Sequence, residues 1–241
     1  AVGQSHYTYF LLPDGSVVDD LMIYRVAEER FMIVVNASNN DKDWAWLNAV
    51  NESQVRIDEQ RPFARSQHPI TLRDLRDPAP GAECRVDVPL QGPKSRDILL
   101  ALIDDPAFAR RVKALPWAGV TSGQLAGLDV VVSRTGYTGE RIAFEIFVHP
   151  DKSPELWQKL VAVGEPLGLK PCGLAARDST RTEAGLPLYG HELAGDLGLN
   201  PADAGFGSYV KLWKPFFVGR EAFITYEAKR DRVITRFRMN E

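Results

Sequence analysis

The sequence is short of the residues from which several common sites are built. Its 241 residues include two cysteines and four histidines. Cys84 and Cys172 lie far apart, with no Cys-x-x-Cys pair and no histidine at metal-ligand spacing. A disulfide framework and a zinc site are therefore disfavoured, no metal is expected, and a reducing compartment fits. No apolar run approaches the roughly 18 residues that a membrane span requires. The stretch AVGQSHYTYFLL carries no basic segment ahead of an apolar one, so no signal peptide is expected. There is no long basic run, and a net charge of −3 with a pI near 5.9 argues against nucleic acid or a membrane surface as partner. GPKS at 92–95 lacks the frame of a phosphate loop, and GFGSYV at 205–210 lacks the third glycine of a dinucleotide fingerprint. No Gly-x-Ser-x-Gly elbow and no internal repeat occurs.

What is present is ordinary globular material, 44% hydrophobic and 25% charged, enough for one or two domains. HYTYFLLPDGSVVDDLMIYRV reads as strand, turn and strand, with Pro13, Asp14 and Gly15 as turn chemistry. RFMIVVNA gives a third strand. Ser38 is placed to cap a following helix in which Trp44, Leu47 and Val50 recur at helical spacing. Residues 60 to 83 carry four prolines and many charges and read as a connection. DKSPELWQKLVAVG is a helix with Ser153 at its cap and Pro154 in its first turn. GLAARDSTRTEAGL is another helix, ended by Gly185. The strands come in antiparallel-looking pairs among helices, so the expected class is α+β rather than a doubly wound parallel sheet.

Four stretches carry candidate chemistry, each with a plain structural alternative. VVDDLMIY puts Asp19 and Asp20 in one strand, where successive side chains face opposite ways, so one of them faces a core or cavity unless both roles are structural. Asn36 closes a hydrophobic strand and offers an amide suited to the edge of a heterocycle, or simply a helix cap. Arg177 and Arg181 share a helix face and could clamp a carboxylate, or pair with Asp178 and Glu183. TGYTGE combines glycine-permitted backbone with the aromatic face of Tyr137, or is a decorated turn. The return strand AFEIFVH holds a lone carboxylate, Glu145, between Phe144 and Ile146.

VVDDLMIY, VVNASNNDKDWAWL, LQGPKS, RTGYTGE, GLAARDSTRTEAGLPLYGHEL and FFVGREAF together, in this order, resemble the aminomethyltransferase (T-protein) family of the glycine cleavage system. The resemblance covers about residues 5 to 238. It implies two interleaved α+β domains with mainly antiparallel sheets around a folate-binding cavity, followed by a C-terminal barrel that is largely absent here. The implied boundaries are 1–62 plus 165–225 for a central folate-binding domain, 63–164 for a second domain, and 226–241 for a linker and the first strand of a truncated barrel. A segment ahead of residue 1 also belongs to the family pattern, so the chain is expected to be a fragment.

The resemblance also implies roles. Asp20 falls on the family's essential aspartate, beside the reactive edge of tetrahydrofolate. Tyr7, Asn36, Tyr137, Glu145, Arg177 and Tyr189 fall on positions that contact the cofactor. Glu145 would accept two adjacent N–H donors of the pterin, a charge-assisted fork. The carboxylate of Asp20 would stabilise positive charge developing during one-carbon transfer and shuttle a proton. One departure stands out, since ERIAF carries one more residue before Glu145 than the family pattern. An unrepaired one-residue slip turns a strand side chain to the other face, which would leave Glu140 as the carboxylate that matters.

The implied function is tetrahydrofolate-dependent aminomethyl transfer with release of ammonia. The partner would be a lipoylated H-protein, and the location a bacterial cytoplasm or a mitochondrial matrix. The alternatives are a tetrahydrofolate-dependent demethylase acting on a small methyl donor and a non-catalytic folate-binding assembly protein. The last branch carries a cysteine signature that TRTEAGLPLYGHEL lacks.

Overall fold

The structure is a computed structural model that describes residues 1–66 and 68–237. Three strands come first: β1 (Gln4–Leu11), β2 (Val17–Ala27) and β3 (Arg30–Val34), in the order β1-β2-β3. The turn between β1 and β2 is held by the backbone of Gly15, which donates to Leu12 O, and by Asp14, which accepts from the Ser16 amide at 2.9 Å. Helix α1 (Asn40–Asn51) follows a short 3-10 turn. Ser38 lies inside that turn and does not cap α1; Asn39 holds the cap position with no side-chain bond to the helix.

A second sheet has the order β4-β7-β6-β5, all antiparallel: β4 (Val86–Gln91), β5 (Val120–Leu125), β6 (Leu128–Ser133) and β7 (Ala143–Val148). Helices α2 (Ser95–Leu100), α3 (Pro106–Ala114) and α4 (Ser153–Gly164) pack on it. Side chains alternate across a strand, so one face collects Val88, Leu90, Val130, Val132, Phe144 and Ile146 into a dry core with Phe108, Leu156 and Leu160. Asp105 caps α3 by accepting from the amides of Ala107 and Phe108, and Pro106 opens the helix. Ser153 does not cap α4. Its hydroxyl donates to Pro150 O, because a 3-10 turn capped by His149 runs into the helix. Helix α5 (Leu174–Ala184) ends on Gly185 at φ 70°, and α6 (Arg220–Lys229) follows later.

This is an α+β protein with antiparallel sheets, and no closed barrel forms among the described residues. It divides into two compact units. The first comprises 1–6, 24–32 and 73–186, the second 7–23, 33–72 and 187–241. These boundaries differ from 1–62 plus 165–225 and 63–164. Residues 165–186 join the first unit because α5 packs on the glycine-rich loop, where a Cβ on Gly139 would lie 2.6 Å from that of Ala184. Of the expected linker and strand at 226–241, residues 226–229 complete α6 and 231–237 have no regular structure, while 238–241 lie outside the described residues. No described helix is long and apolar enough to cross a membrane.

Candidate functional site

In the second unit, β1, β2 and the start of α1 converge on a ladder of acids. Asp20 is buried, and its two oxygens are held separately: Oδ2 accepts from the Tyr7 hydroxyl at 2.8 Å and Oδ1 from Asn36 Nδ2 at 2.9 Å. Asn36 Nδ2 also donates to Asp19 Oδ1 at 2.9 Å and to the Asp20 carbonyl at 3.1 Å. Asp19 is fully buried and acts as an acceptor for the Asn36 backbone amide at 3.0 Å and for Asn39 Nδ2 at 2.8 Å as well. Alternation along β2 sends the two aspartates to opposite faces, yet both are buried. The Asn36 amide, two residues past β3, reaches both carboxylates. Asn36 occupies the cap position of the 3-10 turn but spends its side chain on the aspartates rather than on the turn.

Burial pushes the Asp20 carboxyl up from the usual 3.8 to about 6; the Tyr7 hydroxyl opposes that rise, the charge of Asp19 adds to it, and Asn36 opposes it. Tyr7 in turn is pushed far above an ordinary phenol, by burial first and by the charge of Asp20 second. It therefore stays a neutral donor. Its ring is held edge-on by Tyr9 and Tyr209, each at 5.1 Å between centroids. Tyr189 lies in a loop with the Lys42 ammonium 3.8 Å from its ring centroid.

Asp43 completes the ladder. It is 1% exposed, and neither of its carboxyl oxygens receives a hydrogen-bond donor. Burial, then the hydrogen bond and charge of Asp19, push it up to about 8, with Lys42 opposing. Its position was readable. Asp43 is four residues before Leu47 and seven before Val50, a carboxylate on the inward stripe of α1.

The first unit carries a different polar group on the sheet face opposite the dry core. Pro89 and Ser133 flank Glu145 across the ladder, and Asp87 sits opposite Phe147, one step along the same face. Glu145 Oε2 accepts from the Tyr24 hydroxyl at 2.7 Å and from the Thr135 hydroxyl. Asp87 keeps solvent-accessible surface but is crowded by protein atoms. That desolvation, followed by the charge of Glu145, raises its carboxyl well above the usual range, with Arg177 opposing. β7 starts at Ala143 and pairs in regular register with β4 and β6, which puts Glu145 across from Pro89 and Ser133. Glu140 is occupied locally, accepting from the amides of Arg141 and Ile142.

The glycine-rich loop is anchored by Gln91, whose Oε1 accepts from the Tyr137 amide at 3.0 Å and the Thr138 hydroxyl at 2.8 Å. A Cβ on Gly136 would come within 2.5 Å of that of Ala143, which explains the glycine. The Arg177 guanidinium lies 4.6 Å from the Tyr137 ring centroid, covering one aromatic face. Arg181 is buried and gives both Nε and Nη2 to Asp178, so the two arginines do not form a shared clamp.

Tyr7, Asp20, Asn36 and Tyr189 thus belong to the second unit, and Tyr137, Glu145 and Arg177 to the first. Within their units, Tyr7, Asp20 and Asn36 are bonded together, and Tyr137 meets Arg177. The sequence reading missed Asp43, Asn39, Tyr24, Thr135 and Asp87. A cavity of about 890 Å³ in the second unit is lined by Ile57, Arg61, Phe216, Arg220, Tyr226 and Arg232 among others, and by none of the expected residues. Two of the cations that line it are engaged in ion pairs, Arg61 with Asp58 and Arg220 with Glu221.

Residues 1–214 match the model of the GCVT N-terminal domain. Among curated proteins, the chain is 38% identical over 237 residues to an aminomethyltransferase of Alkaliphilus oremlandii, covering 98% of this chain and 57% of that protein. It is 39% identical to an aminomethyltransferase of Bacillus subtilis, covering 87% of this chain and 50% of that one. The crystal structure of glycine cleavage system aminomethyltransferase T from Bartonella henselae superposes with a TM-score of 0.70 at 32% identity, over 95% of this chain and 54% of that chain. The chain spans about half the length of the curated relatives it matches.

Proposed function

The chain belongs to the GCVT N-terminal domain family, and from that premise we propose that it serves an aminomethyltransferase of the glycine cleavage type, passing a one-carbon unit to tetrahydrofolate and releasing ammonia. The observation that carries this reading is Asp20. It is a buried carboxylate held oxygen by oxygen by Tyr7 and Asn36, and it titrates near 6. At neutral pH it is mostly ionised and close enough to its midpoint to take and return a proton, which suits a group facing transient positive charge.

Tetrahydrofolate fits the polar groups of the first unit as a donor-rich ring. Glu145 accepts from the Tyr24 and Thr135 hydroxyls on one oxygen and interacts with the Asp87 carboxyl, and in this reading the two carboxyls together meet the aminopyrimidine edge. When bound, tetrahydrofolate supplies the nitrogens that receive the carbon. By the family resemblance, Glu145 would take its N–H edge, Asn36 would meet it through its amide oxygen, and Tyr137, Arg177 and Tyr189 would touch it by aromatic and cationic contact. Asp20 holds charge and a proton. The donor partner is a lipoylated H-protein.

The test is a donor screen with the full-length gene product, following tetrahydrofolate. Methylene-tetrahydrofolate and ammonia from aminomethyl-lipoyl H-protein are the expected products. Methyl-tetrahydrofolate from a small O-, S- or N-methyl compound would replace this reading with a demethylase. Binding without conversion of any donor would replace it with a folate-binding assembly protein.

A further inference from the structure

The Asp43 carboxyl is the buried polar group that the proposed chemistry leaves unused. Both its oxygens are sealed from solvent without a donor, and its neighbour Asp19 already accepts three N–H bonds, from the Asn36 amide, the Asn36 side chain and Asn39. Two carboxyls that meet away from water cannot both be charged; one keeps its proton and gives it to the other. The carboxyl with no donors is the one that keeps it, because nothing solvates its charge. The groups facing it are Asp19 and Asp20 from β2 and Lys42 from α1, and the Lys42 ammonium lies over the Tyr189 ring. The Tyr7 hydroxyl of β1 is taken by Asp20.

We propose that Asp43 is a positioning residue, a neutral buried acid whose O–H donates to Asp19 and fixes the carboxylate that orients the Asn36 amide. With Asp19 fixed, both hydrogens of Asn36 Nδ2 are directed at Asp19 and Asp20, and the amide oxygen is turned away from them toward any incoming donor. Ionisation of Asp43 would place three negative charges in one buried ladder and break the bond that fixes Asp19. The orientation of Asn36, and with it donor recognition, then fails on the alkaline side. The late titration of Asp43, near 8, agrees with this order of events. The proton store stands without any statement about the ligand; the ligand arm of the test rests on the folate reading.

The experiment uses the full-length gene product labelled with carboxyl-¹³C aspartate, with Asp43→Asn as the assignment control. The resonance lost in Asp43→Asn should titrate near 8 in the wild type. A midpoint below about 5, the ordinary carboxylate range, overturns the proposal. The Asn36 side-chain amide resonances should move between pH 7 and 9 in the wild type and stay still in Asp43→Asn, since an asparagine amide keeps a donor on Asp19 at every pH. Movement in both proteins overturns the orienting role. Tetrahydrofolate affinity should fall about tenfold or more over that interval in the wild type and less than about threefold in the variant, as for loss of a buried charge-assisted bond. An equal fall in both overturns the link to recognition. Failure of both proteins to bind tetrahydrofolate at any pH, with the carboxyl and amide results as expected, supports the positioning role and overturns the folate reading instead.

Discussion

Replacing Asp20 by asparagine should make the chain more stable and the enzyme inert. The magnitude follows from the environment of the carboxylate. Its rise from 3.8 to about 6 means that the ionised form is disfavoured in the fold by roughly 3 kcal/mol. A carboxyl raised by folding contributes stability that is complete below its unfolded value near 3.8. That contribution is lost as pH climbs through about 6. Asparagine never carries the charge, so the cost is absent at every pH. Against this stands the weakening of two bonds. The amide oxygen can still accept from Asn36, and the amide nitrogen can donate to Tyr7 once the phenol rotates, so charge-assisted bonds become neutral ones at about 1 kcal/mol in total. Asp20→Asn should therefore be close to wild type in urea-derived stability near pH 4 and about 2 kcal/mol more stable near pH 8. Turnover with tetrahydrofolate should fall by orders of magnitude while affinity stays within about tenfold. Parallel stability–pH curves for the two proteins would show that Asp20 is not held against its charge. Unchanged turnover would remove it from the chemistry.

Glu145→Ala should weaken tetrahydrofolate binding by about 2 kcal/mol in calorimetry, whereas Glu140→Ala should leave it unaffected; the opposite pattern would mean that the carboxylates exchange roles. Gly123→Ala should cost about 1–3 kcal/mol in urea denaturation, because its new methyl would lie 2.5 Å from the Phe108 ring. A neutral result would show that the ring has room to move. Asp105→Ala should cost about 1 kcal/mol by removing the two amide bonds that start α3, and full retention of stability would refute the capping assignment.

Much of the scaffold was legible because its signals are local. Pro13, Asp14 and Gly15 announce the β1–β2 turn, and Gly185 ends α5 in the left-handed conformation that glycine tolerates. Ser38 and Ser153 misled for a shared reason. Ser38 lies inside a 3-10 turn that runs into α1, and Ser153 is already the first residue of α4 behind another such turn, so in each case the cap position falls on a neighbouring residue. The partner of a polar side chain is a tertiary fact. Tyr24 and Glu145 are separated by 121 positions and meet at 2.7 Å, and nothing in either stretch names the other. Asp43 was the exception that could have been found, since a carboxylate in register with Leu47 and Val50 breaks the inward stripe of a helix.

Strand β7 is paired on both edges, with β4 on one side and β6 on the other. Glu145 is consequently mounted on a backbone that has no hinge and no slack, whose opposite face is cemented by Phe144 and Ile146. If Glu145 receives the donors of a guest as proposed, a guest with a different pattern of donors cannot be accommodated by letting this carboxylate drift. Redesign for a new guest has to change the Tyr24 and Thr135 hydroxyls that aim it, while the strand beneath stays as it is.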